Sequence, residues 1–148
     1  MRRLRCAVWV AWLCLAGCAS TPPLDRLNFS RPDRADLQAQ LDRDPIGPGE
    51  AVRITKLVES PDMSGLLVQV RSSMPPHVHK LTQEVVYMLR GEGLFQLGAE
   101  RMPLKAGAVV RIPAGTVHTF TNQGQAPAVF FVVTTPRWDE QDRFMVKE

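Results

Sequence analysis

The amino-acid sequence predicts an all-β fold, an antiparallel sandwich or small barrel, on three observations. After Gly49 the chain becomes a succession of about eight short segments rich in β-branched and apolar residues. Clusters of Gly, Pro, Asn and Asp separate these segments, as tight turns require. No helical pattern of useful length interrupts them. About eight short strands at this spacing favour an architecture that hides its sheet edges and holds one small ligand in its mouth.

Residues 1–17 have the pattern of a signal peptide and are excluded from the predicted fold. Three arginines form a cationic start, and the apolar stretch from Cys6 to Ala16 is too short for a comfortable membrane span. The residues LAGC, which end at Cys18, resemble the lipobox of bacterial lipoproteins. The resemblance implies that Cys18 is lipidated and becomes the first mature residue. An ordinary signal peptide and an uncleaved anchor are the alternatives.

The lipobox resemblance also implies a location. Ala19 rather than Asp follows Cys18, and among lipoproteins this implies sorting to the outer membrane of a diderm bacterium, facing the periplasm. The membrane is then a partner through the lipid anchor. The pair Arg2-Arg3 leaves twin-arginine export open as an alternative, although the residues that normally flank such a pair are absent.

Removal of the signal peptide changes both the charge and the thiol content. It takes three of the 18 basic residues and none of the 15 acidic ones, so the mature chain has 15 of each. This balance gives no support for a nucleic-acid partner or for an anionic substrate. Cys6 and Cys14 leave with the signal peptide and Cys18 carries the lipid. The mature chain therefore has no thiol for a disulfide, a zinc–thiolate site or a nucleophile.

Residues 18–48 comprise the lipidated cysteine and a predicted tether. This stretch is rich in Pro and charge and poor in β-branched residues, as flexible linkers are. Within it, Asp33 to Asp42 has the pattern of a short helix capped near Asp33, with Leu37 and Leu41 on one side. Disorder is the equally weighted alternative.

Residues 49–148 form the predicted domain, in which short segments follow one another with turns between them. These segments are AVRITKLVES, GLLVQVRSS, QEVVYMLRG, GLFQLG, ERMPLKAG, AVVRIP, HTFTNQG and APAVFFVVTTP. The outward positions of the third segment, Val85, Tyr87 and Leu89, are apolar. They predict a contact between sheets or within a homodimer.

The three histidines of the chain all fall in this domain. His77 and His79 stand one residue apart, and side chains alternate along an extended strand, so both imidazoles point the same way. Glu84 would face away on an unbroken strand, but a corner at residues 80–82 can reset the alternation. His118 follows a turn in a later segment. Three imidazoles and one carboxylate from neighbouring strands can enclose one divalent metal and leave coordination positions open.

Two sequence motifs resemble those of the cupin family. The first consists of His77-Val78-His79, Glu84 and Gly91, and the second of Gly107, Pro113, Gly115, His118 and Asn122. The 15 residues between the two motifs match the short segment of small single-domain cupins. Two departures are Arg71, where the first motif begins with Gly, and Ala108, where Asp is common; neither removes a ligand.

The cupin resemblance implies a double-stranded β-helix, or jelly-roll barrel. It implies a metal site formed by His77, His79, Glu84 and His118. It also implies that the barrel turns are shaped by Gly91, Gly107, Pro113, Gly115 and Asn122. The implied cofactor is one divalent ion of Fe, Mn, Ni, Cu or Zn, because imidazole and carboxylate suit each of them. A barrel that survives as a scaffold without metal is the alternative.

Three functions stay open at this point. The first is a metal-dependent enzyme acting on a small molecule. Within this class a dioxygenase-like oxidoreductase is preferred over an isomerase or a lyase. The second is a non-catalytic envelope lipoprotein that binds a metal or small ligand, and the third is a structural platform. No second catalytic residue is identified. Arg71, Gln96 and Arg111 are candidate groups for fixing a substrate, and Trp138 is expected to pack across the barrel or at a dimer contact.

Overall fold

The structure is a computed structural model that describes residues 34–147. The predicted signal peptide, the predicted lipidation site at Cys18 and the start of the predicted tether lie outside these residues. Within the described part, a short helix, α1, spans Leu37–Arg43, and its N-cap is Asp36, whose side chain accepts from the amide of Ala39. No helix of the described part combines the length and the apolar character needed to cross a membrane.

The rest of the described chain forms ten β-strands. In chain order they are β1 Val52–Glu59, β2 Ser64–Val70, β3 Ser73–His79, β4 Gln83–Arg90, β5 Glu92–Leu97, β6 Glu100–Lys105, β7 Val109–Ile112, β8 His118–Asn122, β9 Ala128–Thr135 and β10 Arg143–Met145. Each of the eight predicted segments corresponds to one strand, and β2 and β5 begin one residue before their segments. A 3-10 turn, Glu140–Asp142, precedes β10.

The strands pair into two antiparallel sheets of five strands each. The first sheet has the order β1-β2-β9-β4-β7 and the second the order β10-β3-β8-β5-β6. Consecutive strands β3 and β4 lie in different sheets, so the chain crosses from one sheet to the other between them. The prediction of an all-β antiparallel barrel is confirmed, and its form is the double-stranded β-helix of a jelly roll.

Two strands, β3 and β10, were not counted among the predicted segments. Strand β3 contains Pro75 and Pro76, which cannot donate to a ladder and which argue against a central strand. They are accommodated because the pairing with β8 shifts register between Met74 and His77. Strand β10 has three residues and is held by pairing with β3, a contact far away in sequence.

The apolar core lies between the two sheets. It comprises Leu66, Val68, Val70, Val86, Met88, Phe95, Leu104, Val110, Ile112, Phe120, Ala128, Phe130 and Val132. In β4 the inward residues Glu84, Val86 and Met88 are buried, whereas Val85 and Tyr87 on the outer face are 44% and 38% exposed. The predicted alternation of β4 is therefore confirmed for these residues.

The predicted turn residues occupy tight connections. Gly91, Gly107 and Gly115 all have positive φ, of 90°, 94° and 77°. At Gly91 an added Cβ would also lie 3.0 Å from the Cα of Ala128, so a side chain is excluded on two grounds. The side-chain amide of Asn122 donates to the carbonyls of Arg71 and Ala126, which ties the loop after β8 to the end of β2.

Candidate metal centre

Strand β3 brings two of the predicted ligands to the inner face of the second sheet. His77 and His79 are 3% and 4% exposed, whereas Val78 between them faces the other side and is half-buried. The two imidazole rings lie with their centroids 5.2 Å apart. Both histidines point into the barrel because strand side chains alternate, as their spacing predicts.

His118 joins them from the neighbouring strand. It is the first residue of β8 and pairs directly with His77, so the two side chains share a face. Their ring centroids are 4.1 Å apart, and His118 is 3% exposed. The turn before β8 is fixed by Gly115, whose amide donates to the carbonyl of His79 at 2.7 Å. This hydrogen bond links the two ligand-bearing strands at the site itself.

Glu84 approaches from the opposite sheet. It is 8% exposed, and one carboxylate oxygen lies 3.4 Å from Nε2 of His118 while the other lies 3.7 Å from Nε2 of His79. The inward position of Glu84 depends on the corner at residues 80–82. That corner is held by Asp142, whose carboxylate accepts hydrogen bonds from the three successive amides of residues 80–82 at 2.9 to 3.2 Å.

The geometry fits a single metal ion. The imidazole ligand atoms of His77, His79 and His118 all lie within 4.8 Å of one another. Two nitrogens bonded to one metal at about 2.1 Å can be at most about 4.2 Å apart, so small side-chain rotations complete the set. Nε2 of His118 is buried and has no hydrogen-bond partner among the described residues. A lone pair left unsatisfied in this way is what a metal ligand requires.

Backbone carbonyls fix the tautomers of two of the histidines. Nδ1 of His77 is 2.8 Å from the carbonyl of Pro75, and Nδ1 of His118 is 3.0 Å from the carbonyl of Thr116. Each Nδ1 therefore carries the ring proton and donates a hydrogen bond to the carbonyl. The lone pair of each Nε2 is then directed into the site, which is the usual outer-shell arrangement of metal-bound histidine.

Burial keeps the imidazoles of His77 and His79 neutral. Burial, with a smaller contribution from the neighbouring His118, lowers the pKa of His77 to about 3. Burial also lowers the pKa of His79, an effect that Glu84 only partly offsets. For Glu84 burial alone would raise the pKa, but the adjacent His118 and His79 outweigh it and the pKa lies below its usual value. Neutral imidazoles and an ionised carboxylate are the protonation states that bind metal.

The four side chains line a cavity in the barrel, with a volume of about 50 Å³. By the same measure one water needs about 10–15 Å³, so the cavity holds a metal and a ligand of a few atoms. Most of its other lining residues are apolar and include Val68, Val86, Phe95, Phe130 and Trp138. Trp138 is half-buried and packs against the core, as expected for packing across the barrel.

One polar residue of the cavity wall, Arg143 on β10, was missed by sequence reasoning. The candidates chosen from the sequence lie elsewhere: Arg71 donates to the carbonyls of Ile46 and Gly47, and Gln96 and Arg111 are directed to partners outside the cavity. The signal for Arg143 was weak, because it depends on a three-residue strand that only its pairing with β3 reveals.

This chain is similar to known proteins over most of its barrel. A family model described as a cupin domain matches residues 66–134. The chain is 30% identical over 119 residues to an uncharacterized protein of Aquifex aeolicus (strain VF5), and the match covers 80% of this chain and 97% of that protein. The match spans nearly the whole length of that relative.

Two further matches are informative. The crystal structure of TT1209 from Thermus thermophilus superposes with a TM-score of 0.62 at 29% identity, covering 72% of this chain and 99% of that one. The oxalate-binding protein of Thermotoga maritima is 36% identical over 62 residues, which are 42% of this chain and 51% of that protein. The chain thus matches about half the length of the oxalate-binding relative.

Proposed function

The chain belongs to the cupin domain family, and from that premise we propose that it binds one divalent metal ion through His77, His79, His118 and Glu84. The remaining coordination positions face the cavity and receive a small ligand with oxygen donors. The observation that carries the proposal is the convergence of three buried imidazoles within 4.8 Å, with Nε2 of His118 lacking a partner among the described residues.

The donor set supports Fe, Mn, Ni, Cu or Zn, since each accepts imidazole nitrogen and carboxylate oxygen. A metal held this way supplies Lewis acidity and, for iron or manganese, activation of dioxygen. On these grounds the proposed activity is a dioxygenase-like oxidoreductase acting on a small molecule. Isomerase and lyase chemistry need the same metal. Glu84 would hold the metal and, once dissociated from it, would accept a proton from the ligand, while the apolar walls would exclude bulk water.

Non-catalytic binding is the second candidate, and a specific observation favours it. Within residues 34–147, the titratable groups that line the cavity are the four donors and Arg143. The cavity wall thus offers no further acid or base for proton transfer. The relative named as an oxalate-binding protein adds support for a small dicarboxylate as the bound ligand.

We also propose that the protein is a lipoprotein of the cell envelope, anchored through Cys18 in the outer membrane and facing the periplasm. The support is the sequence LAGC with Ala19 after it. Fractionation of cells expressing the wild type and Cys18→Ser tests this: the wild type should partition with outer membranes and the variant should not. Equal partitioning of both would contradict lipidation at Cys18.

Metal reconstitution tests the site. The full chain, purified in mild detergent without a histidine tag, is stripped with a chelator and dialysed against each candidate ion. We expect about one ion per chain at saturation. Oxygen consumption by the iron-loaded chain on addition of catechol or oxalate would support the oxidoreductase. Binding of these probes without consumption or product would favour the second candidate, and no uptake of any ion would contradict both.

A further inference from the structure

The C-terminal strand β10 places a cation beside the metal ligands. β10 pairs antiparallel with β3, and Arg143 lies directly opposite His79 while Met145 lies opposite His77. Residues that are paired in this way share one face of the sheet. Arg143 therefore points to the same side as the two histidines, and its side chain forms part of the cavity wall.

Arg143 has no ion-pair partner in the described structure. None of the ion pairs within residues 34–147 includes it, although Glu84 contributes a negative charge from the opposite wall. Its Nε is buried and has no hydrogen-bond partner among the described residues. A buried donor that is left unpaired costs free energy, and one on a charged group costs more. The guanidinium thus has donors available for a group that enters the cavity.

The main chain around Arg143 is held in place by its neighbours. Asp142 is 8% exposed and accepts from the three amides of residues 80–82, the corner that leads from His79 to Glu84. On the other side, the ring of Phe144 lies 4.1 Å from Nζ of Lys80. The short segment from Asp142 to Phe144 therefore positions both Arg143 and the corner between His79 and Glu84.

We propose that Arg143 is the residue that recognises the ligand of this site, and that the ligand is a small dicarboxylate. One carboxylate end binds the metal and the other accepts hydrogen bonds from the guanidinium. This inference rests on the proposed function, because it assumes a metal at the histidines. The planar fork of Arg matches the two oxygens of a carboxylate. A cavity of about 50 Å³ restricts the ligand to a few atoms beyond the metal.

A second role for Arg143 must be separated from this one. A guanidinium near Glu84 also stabilises that carboxylate, and a purely structural Arg143 would act on metal retention and folding alone. Recognition of a ligand predicts something different, namely a loss that appears only for a charged probe. The neutral metal ligand imidazole provides the comparison, since it binds a metal without needing a cationic partner.

The test titrates the metal-loaded full chain with oxalate and, separately, with imidazole. Calorimetry measures the affinity for each probe. The variants are Arg143→Met, which removes the charge at similar length, and Arg143→Lys, which keeps the charge without the fork. Arg111→Met is the matched control because Arg111 is exposed and lies outside the cavity. Metal content is measured for every sample before and after the titration. Circular dichroism checks the fold. If Arg143→Met is not folded, the affinity of Arg143→Lys for oxalate is compared with that of the wild type.

We expect oxalate to bind Arg143→Met about 10- to 100-fold more weakly than the wild type, with Arg143→Lys in between. Imidazole affinity and metal content should stay unchanged in both, and Arg111→Met should match the wild type. Failure of the wild type to hold any metal would overturn the proposed function and this inference with it. Equal oxalate affinity in wild type and both variants with metal present, or no oxalate binding at all, would overturn this inference alone.

Discussion

The two sheets of the barrel contribute very differently to its interior. Ten of the 13 buried core residues belong to the first sheet, whereas the three histidines belong to the second. The first sheet supplies the candidate site with one group, Glu84. Apolar burial is the main source of folding stability, and buried polar groups cost stability unless they are paired. The difference indicates that the first sheet stabilises the barrel and the second carries its chemistry.

The largest effect is expected from the core of the first sheet. Leu66 is 2% exposed and belongs to this core, and Leu66→Ala removes buried methyl groups and enlarges the cavity that Leu66 lines. We expect the free energy of unfolding to fall by about 2–5 kcal/mol. Urea denaturation of the metal-free chain measures it. Leu81→Ala is the control because Leu81 is 75% exposed, and equal losses in the two variants would contradict the assignment of stability to this core.

Lowering the pH should destabilise the folded chain through His77 of the second sheet. The pKa of His77 is about 3 in the folded chain and about 6.5 when unfolded, so between these values the unfolded state binds more protons. The contribution of neutral His77 to the free energy of unfolding is therefore fully present above pH 6.5 and is lost as the pH falls toward 3. The lowered pKa of Glu84 acts in the same direction.

The expected slope is about 1.4 kcal/mol for each pH unit below 6.5, from His77 alone. Urea denaturation of the metal-free chain at a series of pH values measures this slope. His77→Gln removes the titrating group and should make the dependence shallower. A slope that is the same in wild type and variant would show that His77 is not the buried neutral imidazole described above.

Glu84 tests whether the first sheet takes part in the site. Glu84→Gln removes a negative charge 3.4 Å from Nε2 of His118 while keeping nearly the same shape. We expect metal affinity to fall by at least about 10- to 100-fold, because loss of an outer-shell partner of a metal ligand already has an effect of this size. Equilibrium dialysis measures it, and Glu100→Gln, at an exposed position, is the matched control. Unchanged affinity in Glu84→Gln would place the metal on the second sheet alone.

The smallest effect is expected at the link between the sheets. Asp142→Asn replaces one acceptor oxygen by a donor facing the amides of residues 80–82. We expect a loss of about 1 kcal/mol in the free energy of unfolding, together with a modest loss of metal affinity. Asp62→Asn at an exposed position serves as the control. A loss of stability with no change in metal affinity would show that the corner does not position Glu84.

The sequence predicted the fold and most of the site because both depend on local patterns. The alternation along β3 places His77 and His79 on one face, and the turn before β8 positions His118. A corner at residues 80–82 was predicted from the need to turn Glu84 inward. Its physical cause, the carboxylate of Asp142, lies about 60 residues away and could not be inferred from local sequence.

Arg143 is a second residue whose role could not be inferred from local sequence. Arg71, Gln96 and Arg111 stand on predicted strands and were the natural candidates for a polar wall. Their directions are set by contacts outside the cavity, such as the hydrogen bonds of Arg71 to the segment before β1. Arg143 follows a 3-10 turn on a strand of three residues that exists only through pairing with β3. Pairing between distant segments decides which polar side chains face the site.

Metal analysis by mass spectrometry is the most direct test of a metal centre that unites the two sheets. The full chain is purified without a histidine tag, beside a variant carrying His77→Ala and His118→Ala, with the fold of both checked by circular dichroism. We expect about one metal ion per wild-type chain and none in the variant. No metal in either protein, even after reconstitution with each candidate ion, would contradict the account and leave the barrel as a scaffold without metal.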